Sequence, residues 1–292
     1  MNRVIGVNMK ITVLIENTLS KTEMVNRLKC EHGLSLLIDY NGEQYLLDAG
    51  SSGAFIENAD NLGIHMDTIK TCVLSHAHYD HADGFATFFQ QNNNAKVYTM
   101  SQSVNSYYST SGGSMHYIGI KDGMLAEHQE QFCFIETQTE IAPGVFLIPH
   151  NTRGLFIIGD RAGLYKKEND SYIPDDFSHE LSLVFDTDKG LVICNSCSHG
   201  GIVNIINEVK DALPNKNIYA FVGGLHMMKK KDGKEICTFT EQEVQQMSEY
   251  LLLCGVCKVY TGHCTGALGA ELLRTYMGER VEQLATGKTI VL

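Results

Sequence analysis

The chain has 292 residues, 43% of them hydrophobic, and a formal net charge of −11. That length supplies a continuous core for one large domain or two small ones, and the acidic balance disfavours DNA or RNA as a general partner because it repels phosphate backbones. No window approaches the roughly 18 apolar residues that span a bilayer, and Met1-Asn2-Arg3-Val4-Ile5 lacks the apolar core of a signal peptide.

The cytoplasm is therefore the expected compartment, with the nine cysteines as reduced thiols. In chain order, strands are predicted at Lys10 to Glu16, Ser35 to Asp39 and Gln44 to Leu47, the last two joined by an Asn41-Gly42 hairpin turn. A short helix over Ala54 to Leu62 stops at Gly63. The apolar run Thr71 to Leu74 is a strand, Gly84 to Gln91 a helix and Lys96 to Thr99 another strand. From Ser101 to about Phe132 the pattern dissolves into Ser, Tyr, Gly and His. A loop of that length is usually functional, so 101–132 is expected to form a lid or insertion over the site.

Strand patterns return at Phe132 to Glu136, Val145 to Ile148, Leu181 to Phe185 and Leu191 to Cys194. Helix then alternates with strand: Ile202 to Ala212, Ile218 to Val222, Glu241 to Leu253, Val256 to Tyr260 and Leu268 to Met277. Strands followed by alternating helices, given twice, predict an α/β fold with two mixed sheets packed together and clad by helices, an αββα sandwich. No linker, repeat or low-complexity tract interrupts it, so one domain over 1–292 is expected.

The densest chemistry lies directly after the Thr71 to Leu74 strand. His76, His78, Asp80 and His81 put four metal-capable side chains within six residues. Alternation sends His76, His78 and Asp80 to one side, and a turn can bring His81 round to join them. Imidazole nitrogen and carboxylate oxygen suit zinc, iron or manganese. A metal centre is expected here, with two ions. Four more histidines, His179, His199, His226 and His263, sit at strand boundaries, where an α/β scaffold holds its chemistry on rigid bases. Singly each reads as a hydrogen-bonded structural residue; beside the first cluster, at least two read as ligands. The pairs Cys194/Cys197 and Cys254/Cys257 have CxxC spacing, but Cys194 and Cys257 read as small hydrophobes in apolar strands rather than as a separate metal site.

The HxHxDH segment His76 to His81, with Leu47-Asp48-Ala49-Gly50 before it, resembles the metallo-β-lactamase fold superfamily. Glu31-His32-Gly33-Leu34-Ser35, Cys197-Ser198-His199-Gly200-Gly201-Ile202, Gly223-Gly224-Leu225-His226 and His263-Cys264-Thr265-Gly266 narrow the likeness. Together they resemble the 7,8-dihydropterin-6-methyl-4-(β-D-ribofuranosyl)-aminobenzene-5'-phosphate synthase-like subfamily. The resemblance runs from about Ile11 to the C-terminus and is weakest between Ser101 and about Tyr172.

What the resemblance implies is a first metal on His76 and His78, and a second on Asp80, His81 and His263. His179, placed before a strand hairpin, is preferred to His199 as the third ligand of the first metal. Where relatives carry a bridging aspartate, this chain has Asn195-Ser196-Cys197, so the bridge is either Cys197 or absent. The subfamily usually reads Thr-Gly-Cys there. His226 either replaces His263 or meets the substrate.

Two divalent ions, zinc first with manganese or iron as alternatives, would generate a metal-bound hydroxide near neutral pH, which Asp80 orients, with His226 stabilising developing charge. The expected function is a metal-dependent hydrolase acting on a small anionic, possibly phosphorylated, molecule. The alternatives are the pterin-related synthase that the subfamily name implies and a redox di-iron protein. The basic run Met227-Met228-Lys229-Lys230-Lys231 reads as a solvated loop or as a patch that greets an anionic substrate. No membrane or nucleic-acid partner is expected, and the oligomeric state stays open.

Overall fold

The computed structural model describes residues 9–21, 26–231 and 233–292, and the expectation for Met1 to Ile5 lies outside them. One seven-stranded sheet runs, edge to edge, Thr289–Val291, Met9–Ile15, Ser35–Tyr40, Glu43–Leu47, Thr71–Val73, Lys96–Met100, Phe132–Ile135. The other runs Val281–Gln283, Lys258–Thr261, Ile218–Val222, Gly190–Cys194, Leu181–Thr187, Val145–Pro149, Thr139–Ala142. Their inner faces share one core, in which Ile11, Leu36 and Leu47 meet Leu183, Phe185 and Val222. The outer face of the first sheet is covered by the helices Ala54–Asn61 and Phe85–Gln91 through Phe55, Phe85 and Phe88. Ile202, Ile205, Ile206 and Val209, at helical spacing on Ile202–Ala212, cover the second. Each fully buried large apolar side chain contributes about 1.5–3 kcal/mol. The architecture is the expected α/β sandwich of two mixed sheets between helices.

Local chemistry explains the elements. Asn41 and Gly42 take φ of 53° and 85°, the twofold positive turn that matches strand twist. Thr240 and Glu243 form a capping box that starts the helix Glu241–Leu253. In each sheet the strands nearest the site pair in parallel: Glu43–Leu47, Thr71–Val73 and Lys96–Met100 in one, and Gly190–Cys194, Ile218–Val222 and Lys258–Thr261 in the other. Their carboxyl ends converge, where α/β sheets place ligands. A hydrogen bond from Leu181 N–H to Ser75 O, at 2.9 Å, links the two sheets there.

The segment after Ser101 is more regular than the sequence indicates. Tyr107–Ser109 and His116–Tyr117 join Leu164–Glu168 and Ser171–Pro174 in a four-stranded sheet, and Met124–Glu127 is a helical turn. Strands of two to five residues leave little periodicity, and this sheet is completed only by partners more than fifty residues away. The basic run is not a loop either: Met228–Lys231 pairs with Lys234–Cys237 as a hairpin. Cys194 is buried between the sheets, whereas Cys257 is exposed and outside any strand, contrary to its apolar reading. No helix among the described residues is long and apolar enough to cross a membrane.

Candidate metal centre

His76 to His81 leave the Thr71–Val73 strand through an extended His78 into the turn Tyr79–Ala82, so alternation gives way to a helical turn that carries His81 back. Asp48, fully buried with φ of 59°, lies at the end of the adjacent strand. Its Oδ1 accepts Ser75 N–H at 2.7 Å; its Oδ2 accepts the Ser75 hydroxyl at 2.7 Å and His81 Nδ1–H at 2.7 Å. With its proton committed there, Ser75 Oγ accepts from His76 Nδ1–H at 2.8 Å. One carboxylate therefore leaves the Nε2 atoms of both His76 and His81 free to act as ligands, the usual task of the groups behind a metal ligand.

The second sheet brings the remaining groups from two turns, Cys197 and His199 in one and His263 in the other. His199 Nε2 faces His76 Nε2 at 3.3 Å, and His76, His78 and His199 form one donor set. His263 Nε2 lies 3.2 Å from His81 Nε2 and 3.3 Å from Asp80 Oδ2, and Cys197 Sγ lies 3.2 Å from His81 Nε2. Asp80 Oδ2 to His81 Nε2 is 3.7 Å. Tetrahedral zinc with bonds of about 2.0–2.3 Å has donor–donor edges of about 3.3–3.8 Å, close to this second set. His76, His81 and Cys197 also group together, which puts the thiol between the two sets.

The donors fit a cation. His78 Nε2 and His199 Nδ1 are buried without hydrogen-bond partners, a costly condition unless a ligand answers it. Burial, and after it the neighbouring imidazoles, hold His76 and His199 well below the ordinary imidazole range and His78 at about 3, in the neutral form that ligates. Burial opposes a charge on His263, yet Asp80 raises it to about 9, so this corner favours a positive charge.

His179 does not join the first set. Its Nδ1 accepts Ala77 N–H at 2.9 Å and its Nε2–H donates to Asp175 Oδ2 at 3.0 Å, while Tyr107 packs on the ring at 3.9 Å between centroids. Both ring nitrogens have protein partners, and His179 groups with His78 and Asp175 as a further possible donor set, apart from the set that holds His76 and His199. His226 takes φ of 45°, its buried Nδ1 has no partner, and its ring lies 4.3 Å from that of His199, at the cavity wall rather than in place of His263.

Four contributors escaped the sequence reading. His32, half-exposed, has Nε2 3.2 Å from Asp80 Oδ2. Its loop packs so closely that a Cβ on Gly33 would lie 2.4 Å from Asp80 O. Cys264 joins Cys197 and His263 in a third donor group. Behind His199, Glu180 accepts His199 N–H and Gly200 N–H, both at 2.9 Å, and is itself hydrogen-bonded to His150. His150 also bonds Glu208 at 2.6 Å. Burial works against a charge on His150, but Glu180 and Glu208 outweigh it and carry its pKa to about 10. His32 and Cys264 sat inside quoted motifs; for His150 and Glu180 no spacing pointed to the pair. No donor group among the described residues includes Cys194, Cys254 or Cys257.

Above the donors opens a cavity of about 470 Å³. Ile118, Ile158, Leu225 and Phe239 give it an apolar wall, and Lys229 and Arg161 are its cations. Ser109, Ser111 and His116 bring the 101–132 segment to its rim.

Comparison with known proteins agrees with this architecture. Residues 28–194 match the model of the metallo-beta-lactamase superfamily. The 7,8-dihydropterin-6-methyl-4-(beta-D-ribofuranosyl)-aminobenzene-5'-phosphate synthase of Methanocaldococcus jannaschii is 29% identical over 274 residues, covering 89% of this chain and 90% of that protein. The crystal structure of Tm1679, a metal-dependent hydrolase of the beta-lactamase superfamily, has a TM-score of 0.77 and 29% identity over 97% of this chain and 98% of that one. A diphosphatase from the PhnP family shares the fold, with a TM-score of 0.51 and 12% identity over 98% of this chain and 97% of its own. The family match takes in more than half of the sequence, the HxHxDH segment included, and the chain belongs to the metallo-beta-lactamase superfamily.

Proposed function

We propose that the protein is a metal-dependent hydrolase of a small anionic, phosphorylated substrate, with one cation on His76, His78 and His199 and a second on Asp80, His81, Cys197 and His263. The observation that carries this reading is the pair of donor sets at the base of a cavity whose cations are Lys229 and Arg161. Two such cations would supply Lewis acidity and a nucleophilic water at neutral pH. The chain's own residues do the rest. Asp48 and Ser75 fix the ring orientations, Asp80 orients the attacking water, and His226 stands at the wall where charge develops on the substrate. Lys229 makes no ion pair among the described residues and draws an anion inward. Arg161 is already held by Glu243 at 2.9 Å, so it shapes the wall. A thiol among the donors favours zinc or iron over manganese. We read the chain as one cytoplasmic domain, with 101–132 as the insertion that frames the cavity.

A second reading, a pterin-related synthase, is favoured by the 29% identity that extends over 90% of the Methanocaldococcus jannaschii protein. Both readings would draw on the same donor sets. Zinc-loaded protein offered bis(p-nitrophenyl) phosphate, a lactone and RNA is expected to cleave the phosphodiester. Asp80→Ala should lower that turnover at least about a hundredfold, the scale of misplaced reacting groups, with the circular dichroism spectrum unchanged. Full turnover in Asp80→Ala contradicts the hydrolytic reading.

A further inference from the structure

One buried thiol has no part in the two donor sets above. Cys264 follows His263 directly, and its Sγ accepts His226 N–H at 3.3 Å and contacts Cys197 O at 3.6 Å. Its sulfur, the Cys197 sulfur and a ring nitrogen of His263 all lie within 4.8 Å of one another. The backbone accommodates this placement. His263 takes φ of 49°, a left-handed conformation that is strained for a residue other than glycine. Across the turn, a Cβ on Gly224 would lie 2.4 Å from Cys264 Sγ, so only glycine leaves room for the sulfur. A cysteine acting as a small hydrophobe needs neither provision. Cys72 and Cys194 are buried in apolar clusters among ordinary strand residues.

We infer that Cys264 is a second sulfur donor to the cation held by Cys197 and His263. This rests on the metal-centre reading above and deepens it. Two thiolates with imidazole make a soft set that selects zinc or iron(II) and rejects manganese and magnesium, which prefer oxygen. It also ties the Cys197 turn to the His263 turn through a metal, while Cys264 takes the His226 N–H of the Gly223-Gly224 turn.

Cobalt(II) reconstitution tests it, because thiolate coordination gives a near-ultraviolet charge-transfer band whose intensity follows the number of sulfur ligands. Wild-type protein should bind cobalt and show the band. Cys264→Ser should keep its cobalt and retain only roughly half of the band, one sulfur of two being lost. Full intensity in a folded Cys264→Ser overturns the inference while leaving the two-cation reading standing. Failure of the wild type to bind cobalt overturns both. If Cys264→Ser does not fold, Cys197→Ser decides: a residual band must come from Cys264, and a vanished band on bound cobalt rejects it.

Discussion

The two sheets build their halves of the centre differently. On the first sheet, His76 and His81 come from one contiguous segment, and what is fixed is the ring: Ser75 and Asp48 hold both Nδ1 atoms. On the second, the ligands arrive from two turns, Cys197 and His199 from one and His263 from the other, and the carboxylates behind them hold the backbone. Glu180 takes the N–H of His199 and Gly200, and Glu16 takes the N–H of His263 at 2.6 Å. His199 Nδ1 and His226 Nδ1 meanwhile have no partner. The first half is oriented before any cation binds. The second depends on buried carboxylates that hold its turns in place, so it is where the site is easiest to break.

His150→Ala is the sharpest way to break that half alone. It would leave Glu180 and Glu208 as buried carboxylates without their imidazolium. Breaking a buried pair in this way costs about 3–5 kcal/mol, read from urea denaturation. Metal affinity should fall with it, as His199 loses its support, by roughly 10–100-fold. Wild-type stability should also carry a pH signature. His150 has a pKa raised to about 10 against an ordinary value of about 6.5, so its contribution is complete below about pH 6.5 and is lost as pH rises through 10. On the acid side Glu180 and Glu208 are held low: burial opposes this, but His150 prevails. Their contribution is lost as pH falls below the ordinary glutamate value. A flat profile from neutrality to pH 10 would mean that the clamp carries no charge.

The same contrast explains what was legible in the sequence. The HxHxDH cluster could be read because its ligands share one segment, and the αββα layering because strand and helix periods alternate clearly. The different settings of His199 and His179 could not. Both precede or follow strands, and only the hydrogen bonds to Ala77 and Asp175 disclose that the His179 ring is committed. His150 and Glu180 are thirty residues apart and meet only across the sheet. Tyr107–Ser109 pairs with Leu164–Glu168 far along the chain, and His116–Tyr117 is only two residues long, so no local pattern announces either strand.

The smallest effect is expected at the cavity rim. Lys229 is exposed, so Lys229→Ala should change stability by no more than about 0.5 kcal/mol. It should raise KM for an anionic phosphodiester by at most about fivefold at low salt, with kcat unchanged, because exposed charge pairs contribute about 0.2–1 kcal/mol. An equal rise in KM at high salt, where exposed charges are screened, would remove the electrostatic role.

The most direct test is elemental analysis of wild-type, His199→Gln and His179→Gln proteins purified without added metal. About two ions per chain are expected in the wild type, about one in His199→Gln and about two in folded His179→Gln. An ion lost from His179→Gln but kept in His199→Gln would contradict this expectation.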